Sequence, residues 1–266
     1  MEVEGEPKRS SATSPTIQFA KRMAARVLPP PVQAWARARW GAKKHWPPVG
    51  WVYFGSLRRT APISRVFGYD RGSQSVARYY VDEFVGRWAS DIHGRVLEIG
   101  NDRYTRRFGG ERVLQSDVLH VRPDNPAATI VADLTNAEHI PSNAFDCLII
   151  TQTLQYIYDI RPAVHTLHRI LKPNGVLLAT FSGISQISRQ DMELWGECWH
   201  FTTVSAKRLL EEAFRPGTVQ VEAHGNVLAA IALLHGLASH ELQKEELEIR
   251  DADYQVIVTA RAIKTT

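Results

Sequence analysis

The chain has 266 residues, 44% hydrophobic and 23% charged, with a formal net charge of +4 at pH 7 and two cysteines. This composition fits a globular protein with room for one large domain and an extension. It offers no run of 18 apolar residues to cross a membrane, no apolar segment near the N-terminus to act as a secretory signal, and, with only Cys147 and Cys198, no disulfide framework. The expectation is a cytoplasmic protein.

The charge is unevenly placed. Residues 1–72 carry 13 Lys and Arg against 4 Asp and Glu, a net +9, and residues 73–266 carry 19 against 24, a net −5. Residues 1–15 are polar and rich in Glu, Ser and Pro, the pattern of a disordered tail. From Thr16 to Leu28, Phe19, Ala20, Met23, Ala24, Val27 and Leu28 fall on one helical face, and Pro29-Pro30-Pro31 ends that helix. A second helical piece, Val32 to Trp46, mixes three Trp with four Lys and Arg. Residues 16–72 thus read as a basic, Trp- and Arg-rich helical extension. Such a face suits either an anionic membrane, contacted through residues 16–46, or packing on the protein itself. Nucleic acid is not an expected partner, since no RNA-module motif accompanies the basic residues.

Ser75 to Trp88 reads as a helix, followed by the stretch Arg95-Val96-Leu97-Glu98-Ile99-Gly100-Asn101-Asp102. A short apolar run ended by Gly predicts a buried strand and a sharp turn open to a ligand. Thr105 to Phe108 has helical character. Further strands are predicted at 112–117, 130–134, 145–151, 176–180, 218–222 and 254–262, with helices at 162–171, 205–214 and 227–249. Strands alternating with helices imply a parallel, doubly wound sheet, in which ligands sit at the carboxyl ends of the strands. Glu98 is placed either to accept hydrogen bonds from a ligand or to cap the next helix or pair with an Arg. Asp117 and Asp133 each close a predicted strand. Cys147 reads as a buried thiol, and His165 and His168 as structural.

In this order and spacing the motifs resemble the class I S-adenosylmethionine-dependent methyltransferases over roughly residues 90–225. Val96-Leu97-Glu98-Ile99-Gly100 is similar to the family's first motif, Ala132-Asp133-Leu134 to its adenine-binding motif, and Thr151 to Ile157 to the segment flanking the transfer site. Arg169 to Leu177 resembles the helix-turn-strand of the small-molecule branch. The resemblance implies an α/β fold: a Rossmann-like doubly wound sheet, mostly parallel with an antiparallel C-terminal strand, helices on both faces, plus the basic helical N-terminal extension. It implies a methyltransferase domain over residues 73–266 and S-adenosyl-L-methionine as cofactor. The cofactor would be held by Glu98, Gly100, Asn101, Asp102, Asp117, Val118, Asp133, Leu134 and Thr151, with Asp117 on the ribose.

The family's first motif commonly continues with two more Gly, where this chain has Asp102 and Tyr104. Either Asp102 meets the cofactor's amino group or the protein is a non-catalytic scaffold on the same fold. A nicotinamide enzyme is disfavoured by the lack of a Gly-x-Gly-x-x-Gly turn for a pyrophosphate. His200 is the leading general base for an acceptor hydroxyl, with Tyr156 and Asp159 as alternatives. Glu197 and His200, three residues apart, lack further ligands, so no metal site is expected. Trp195, Trp199 and Phe201 are read either as a stacking surface or as a local cluster. The acceptor is expected to be a saccharide, a lipid-linked saccharide or another small molecule.

Overall fold

The computed structural model describes residues 51–265 except Ser73, with Pro29, Pro31, Val32 and Pro47 before them. The expected tail and N-terminal helices fall almost wholly outside the described residues. The chain divides into two units, Met1–Arg59 and Thr60–Thr266, so the second unit starts before residue 73. The physical tie is local. The amides of Ile63 and Ser64 both donate to the His235 carbonyl. Gly236, in a left-handed conformation (φ +70°), lets the Ser64 backbone approach where a Cβ would collide with it.

Seven strands form one sheet: β1 (Gly94–Ile99), β2 (Val113–His120), β3 (Ile130–Val131), β4 (Phe145–Thr151), β5 (Leu171–Ser182), β6 (Val219–His224) and β7 (Ile257–Ile263). Their order is β3-β2-β1-β4-β5-β7-β6. The pairs from β3 to β5 are parallel, while β7 runs antiparallel to both β5 and β6. The expected sheet is therefore present. Its strand order reverses between β1 and β4, which opens a crevice at their carboxyl ends.

Among residues 51–265 the α-helices are α1 (Val76–Arg87), α2 (Ile160–Ile170), α3 (Arg189–Leu194), α4 (Thr203–Glu211), α5 (Val227–His235) and α6 (Lys244–Glu248). Ser75 caps α1 by accepting from the Arg78 amide. Alternation along the strands sends side chains to two separate layers. Leu97, Leu148, Ile150, Leu177 and Ala179 pack with α2 and α4 on one face. Val96, Cys147, Ile149 and Leu178 pack with α1 and α5 on the other. Because the central strands are buried on both faces, their sequence reads as unbroken apolar runs. Each fully buried Leu or Ile here contributes about 1.5–3 kcal/mol relative to exposure.

Four elements differ from the sequence expectation. β2 runs on to His120, so Asp117 lies inside the strand and not at its end. β3 stops at Val131, which leaves Asp133 and Leu134 in a loop. The expected turn at Lys172–Gly175 is present, with Asn174 at φ +64°, but as an irregularity within the long β5, where Phe145 pairs with Leu171 and Cys147 with Val176. The expected helix over 227–249 is broken at Gly236 into α5, a short 3-10 turn and α6. Burial pushes the Cys147 thiol pKa up, in keeping with an inert core residue.

Candidate active site

A cavity of about 590 Å³ opens at the carboxyl ends of β1, β2 and β4. Gly100 forms its floor at the end of β1. Its φ of +79° favours glycine, and a Cβ built there meets no atom within 4 Å. The Gly100 amide donates to the Leu119 carbonyl, and its own carbonyl accepts from Asn125 Nδ2. The turn is thus fixed from both sides. Ile99, Leu119, Ala132, Leu134 and Ile157 supply apolar walls.

Of the residues expected to form the site, Gly100, Asp133, Leu134 and Tyr156 line this cavity. Asp133 accepts from the Thr135 amide and hydroxyl on one oxygen. Its other oxygen and the Leu134 amide have no protein partner among the described residues, which leaves one acceptor and one donor at the rim. Asp159, an alternative base in the sequence reading, also lines the cavity.

The other expected residues stand elsewhere. Glu98 is 2% exposed and accepts from the Tyr104 amide, the Thr105 amide and the Thr105 hydroxyl at 2.8–3.1 Å. It caps the short π-helical turn Thr105–Gly109, the capping one of its three readings. Burial raises its carboxyl pKa against these hydrogen bonds. Asp117 is turned away from the cavity: it pairs with Arg95 Nε at 2.7 Å and accepts from Gln115 and Thr129. The ribose assignment of Asp117 is therefore corrected, because the residue at the carboxyl end of β2 is His120, which lines the cavity. Val118 is buried, with its amide on Thr129 Oγ1. Asn101 accepts from the Arg103 amide within its own turn. Asp102 pairs with Arg106 at 2.7 Å. Thr151 ends β4 beside the cavity, but its followers Gln152 and Thr153 form the wall.

Tyr104 does not narrow the ligand space. Its ring is 2% exposed and packs among α1 residues, its hydroxyl donating to Asp82 at 2.7 Å and accepting from Arg78 at 2.8 Å. The two departures from the glycine-rich pattern are thus absorbed by the core and by a surface ion pair.

Gln152 and Tyr156 also line a second, smaller cavity of about 150 Å³, together with residues of α1 and of the segment 182–197. Its walls mix polar side chains, Ser75, Ser182, Ser188, Asp191, Glu197 and Arg78 among them, with apolar ones such as Phe67, Val81 and Ile257. The Tyr156 hydroxyl donates to Asp191 at 3.2 Å. Burial and the two nearby carboxylates push the Tyr156 phenol pKa well up, so it remains a hydrogen-bond donor at neutral pH. Glu197 is 5% exposed at its side chain; burial raises its carboxyl pKa although His200 opposes this from 3.4 Å.

His200 faces a third cavity, between the ends of β5 and β7, with Gly183, Thr202 and Gln255. It borders neither of the cavities that Tyr156 touches, although its Nε2 lies 3.4 Å from Glu197, which lines the smaller one. The chain turns away after Glu197 because the Cys198 and Trp199 amides dock on the Gln155 carbonyl. The aromatic residues of this segment divide. Trp199 donates to the Ile157 carbonyl and stacks on Tyr158, and Phe201 packs on Phe181. Trp195 alone of the three reaches the larger cavity, with His120 edge-on to its ring and the Arg122 guanidinium 4.1 Å from its centre. His165 and His168 lie on α2, where His168 packs edge-on against Phe214.

Residues 72–179 match the family model described as a methyltransferase domain. The ubiquinone/menaquinone biosynthesis C-methyltransferase UbiE of Haemophilus ducreyi is 31% identical over 106 residues, which are 37% of this chain and 34% of that protein. The match thus spans about a third of the relative's length. Among solved structures, the N-methyltransferase NodS of Bradyrhizobium japonicum in complex with S-adenosyl-L-homocysteine aligns at 14% identity and a TM-score of 0.48, covering 79% of this chain and 97% of NodS. A SAM-dependent methyltransferase of Thermotoga maritima aligns at 18% identity and a TM-score of 0.45, covering 70% and 95%. Residues 72–179 thus carry a match to a methyltransferase domain, and they lie within the sheet whose order is given above.

Proposed function

We propose that the chain is a working S-adenosylmethionine-dependent methyltransferase that methylates an oxygen of a saccharide, a lipid-linked saccharide or another small hydroxylated molecule. The observation that carries the reading is the turn at Gly100 over a cavity with largely apolar walls that Asp133 and Leu134 also line. These residues fit the cofactor. Asp133 and the Leu134 amide would hold the adenine, His120 would meet the ribose, and the backbone at Gly100 would pass beneath the methionine end. The bound cofactor supplies an electrophilic methyl group on a cationic sulfur.

The protein's own task is to bring an acceptor oxygen in line and to receive its proton. The smaller cavity lies across Gln152 and Tyr156 from the larger one. An acceptor hydroxyl held beside Tyr156 would give its proton to the Asp191 carboxylate as its oxygen takes the methyl group, the carbon–sulfur bond breaking with its electron pair left on the cofactor's sulfur. The relative and the structural neighbour are named as C- and N-methyltransferases, so oxygen specificity rests on the polarity of the smaller cavity. The net +9 of residues 1–72 supports peripheral contact with an anionic membrane through residues 16–46. No described helix is long and apolar enough to cross one.

Calorimetric titration with S-adenosylmethionine and S-adenosylhomocysteine tests the reading. Micromolar binding is expected, and Asp133→Ala should weaken it about 10- to 100-fold, the value of a hydrogen bond to a charged group. Unchanged affinity in that variant would remove the adenine assignment. No binding to the folded wild type would overturn the methyltransferase reading.

A further inference from the structure

The smaller cavity contains an arrangement that cofactor binding does not explain. Two amides stand head to tail: Gln155 Nε2 donates to Gln152 Oε1 at 3.1 Å. This leaves Gln155 Oε1 and Gln152 Nε2 buried with no partner, and Gln155 is only 2% exposed. Amide nitrogen and oxygen can be exchanged by rotation, but turning both groups over leaves the same remainder, one donor and one acceptor. Buried polar groups are ordinarily satisfied. Gln152 also sits at φ +50°, a left-handed backbone that a long side chain adopts at a cost, and such strain collects at ligand sites. The Gln155 carbonyl is held by two amides of the 198–199 segment, which fixes the point from which its side chain projects.

We propose that the Gln152–Gln155 amide pair reads the acceptor, and that the acceptor presents adjacent hydroxyl groups, as a saccharide ring does. The inference rests on the methyltransferase reading and adds the group that the smaller cavity recognises. A hydroxyl both donates and accepts, so two neighbouring hydroxyls satisfy both orphaned atoms without bringing charge into the cavity. Glu197 and Tyr69 also line the cavity and are placed to meet the rest of such a ring. The cavity has room for about one sugar ring and leaves an oligosaccharide or acyl chain outside.

The test uses the full chain and three readouts. Methyl glucoside, methyl mannoside and methyl galactoside, with cyclohexanol as a single-hydroxyl control, are titrated with and without saturating S-adenosylhomocysteine. At least one glycoside should bind and cyclohexanol should not. Gln155→Met should weaken glycoside binding about tenfold or more. Binding of cyclohexanol alone, or of none of the four, overturns the proposal.

S-adenosylhomocysteine and methylthioadenosine, which lacks the amino-acid end, are then titrated into Gln155→Met. Unchanged affinities for both are expected. A selective loss for S-adenosylhomocysteine assigns the amides to the cofactor's own tail and overturns the proposal while the methyltransferase reading stands. Failure of the wild type to bind S-adenosylhomocysteine overturns that reading instead. Finally, the double variant Gln152→Met/Gln155→Met removes donor and acceptor together. Its Tm should hold or rise, by up to about 6 °C, as when polar groups kept for binding are replaced by apolar ones. A clear fall in Tm marks the pair as a packing device and overturns the proposal.

Discussion

The two cavities that meet at Gln152 and Tyr156 are made of different materials. The larger is shaped by the sheet: strand ends, a glycine turn and a few apolar side chains around backbone groups. The smaller is shaped by side chains from α1, from the segment after β4 and from the segment after β5, and most of them are polar. A site made from backbone geometry tolerates sequence change around it, whereas a site made from serines, glutamines and carboxylates changes with every substitution. The contrast teaches that a common ligand belongs to the first cavity and a particular one to the second.

The contrast is broken most severely at Gly100. Gly100→Val places a branched Cβ at φ +79° on the cavity floor. We expect at least a 100-fold loss of S-adenosylhomocysteine affinity by calorimetry, with a further destabilisation of about 1–2 kcal/mol from the left-handed backbone. Retained affinity would mean that the turn does not face the ligand.

A smaller effect sharpens the other half. Glu197 has its folded pKa raised by burial, so the native state holds its proton more tightly than the unfolded chain does. Stability is then lost as pH rises from the ordinary carboxylate value through the raised one, and the cost is fully present above it. Glu197→Gln should be more stable than wild type at pH 7, by about 1–3 °C in Tm, with the gap closing below about pH 4.5. A gap that widens in acid would reverse the sign of the shift. The smallest effect is expected at His200, which borders neither cavity. His200→Ala should leave S-adenosylhomocysteine affinity within about twofold of wild type, a change worth no more than ~0.4 kcal/mol. A larger loss would restore it to the site.

What the sequence made legible follows the same division. That Gly100, Asp133 and Leu134 meet at one cavity is legible because a strand followed by a glycine or an acid is a local pattern, and the fold delivers strand ends to one crevice. Asp117 misled for a local reason too. Polar residues inside Val113–His120 look like the end of a strand, but Arg95 and Thr129 neutralise Asp117 within the sheet, and the true end is His120. Glu98 looked like a ligand group because its position does not reveal that the next turn folds back to offer it three donors. Gln152 and Gln155 fall within the segment Thr151 to Ile157 without any local pattern to mark them. Uncharged amides carry no signal until their burial and missing partners are seen. The left-handed backbone at Gln152 is equally silent, since neither Gly nor Asn marks it.

The segment between β5 and α4 supplies Trp195 to the larger cavity and Asp191 and Glu197 to the smaller. A single stretch of chain that walls two binding sites makes their occupancies thermodynamically linked, because whatever orders it for one ligand lowers the ordering cost for the other, and the benefit is reciprocal. Cofactor and acceptor should therefore raise each other's residence time.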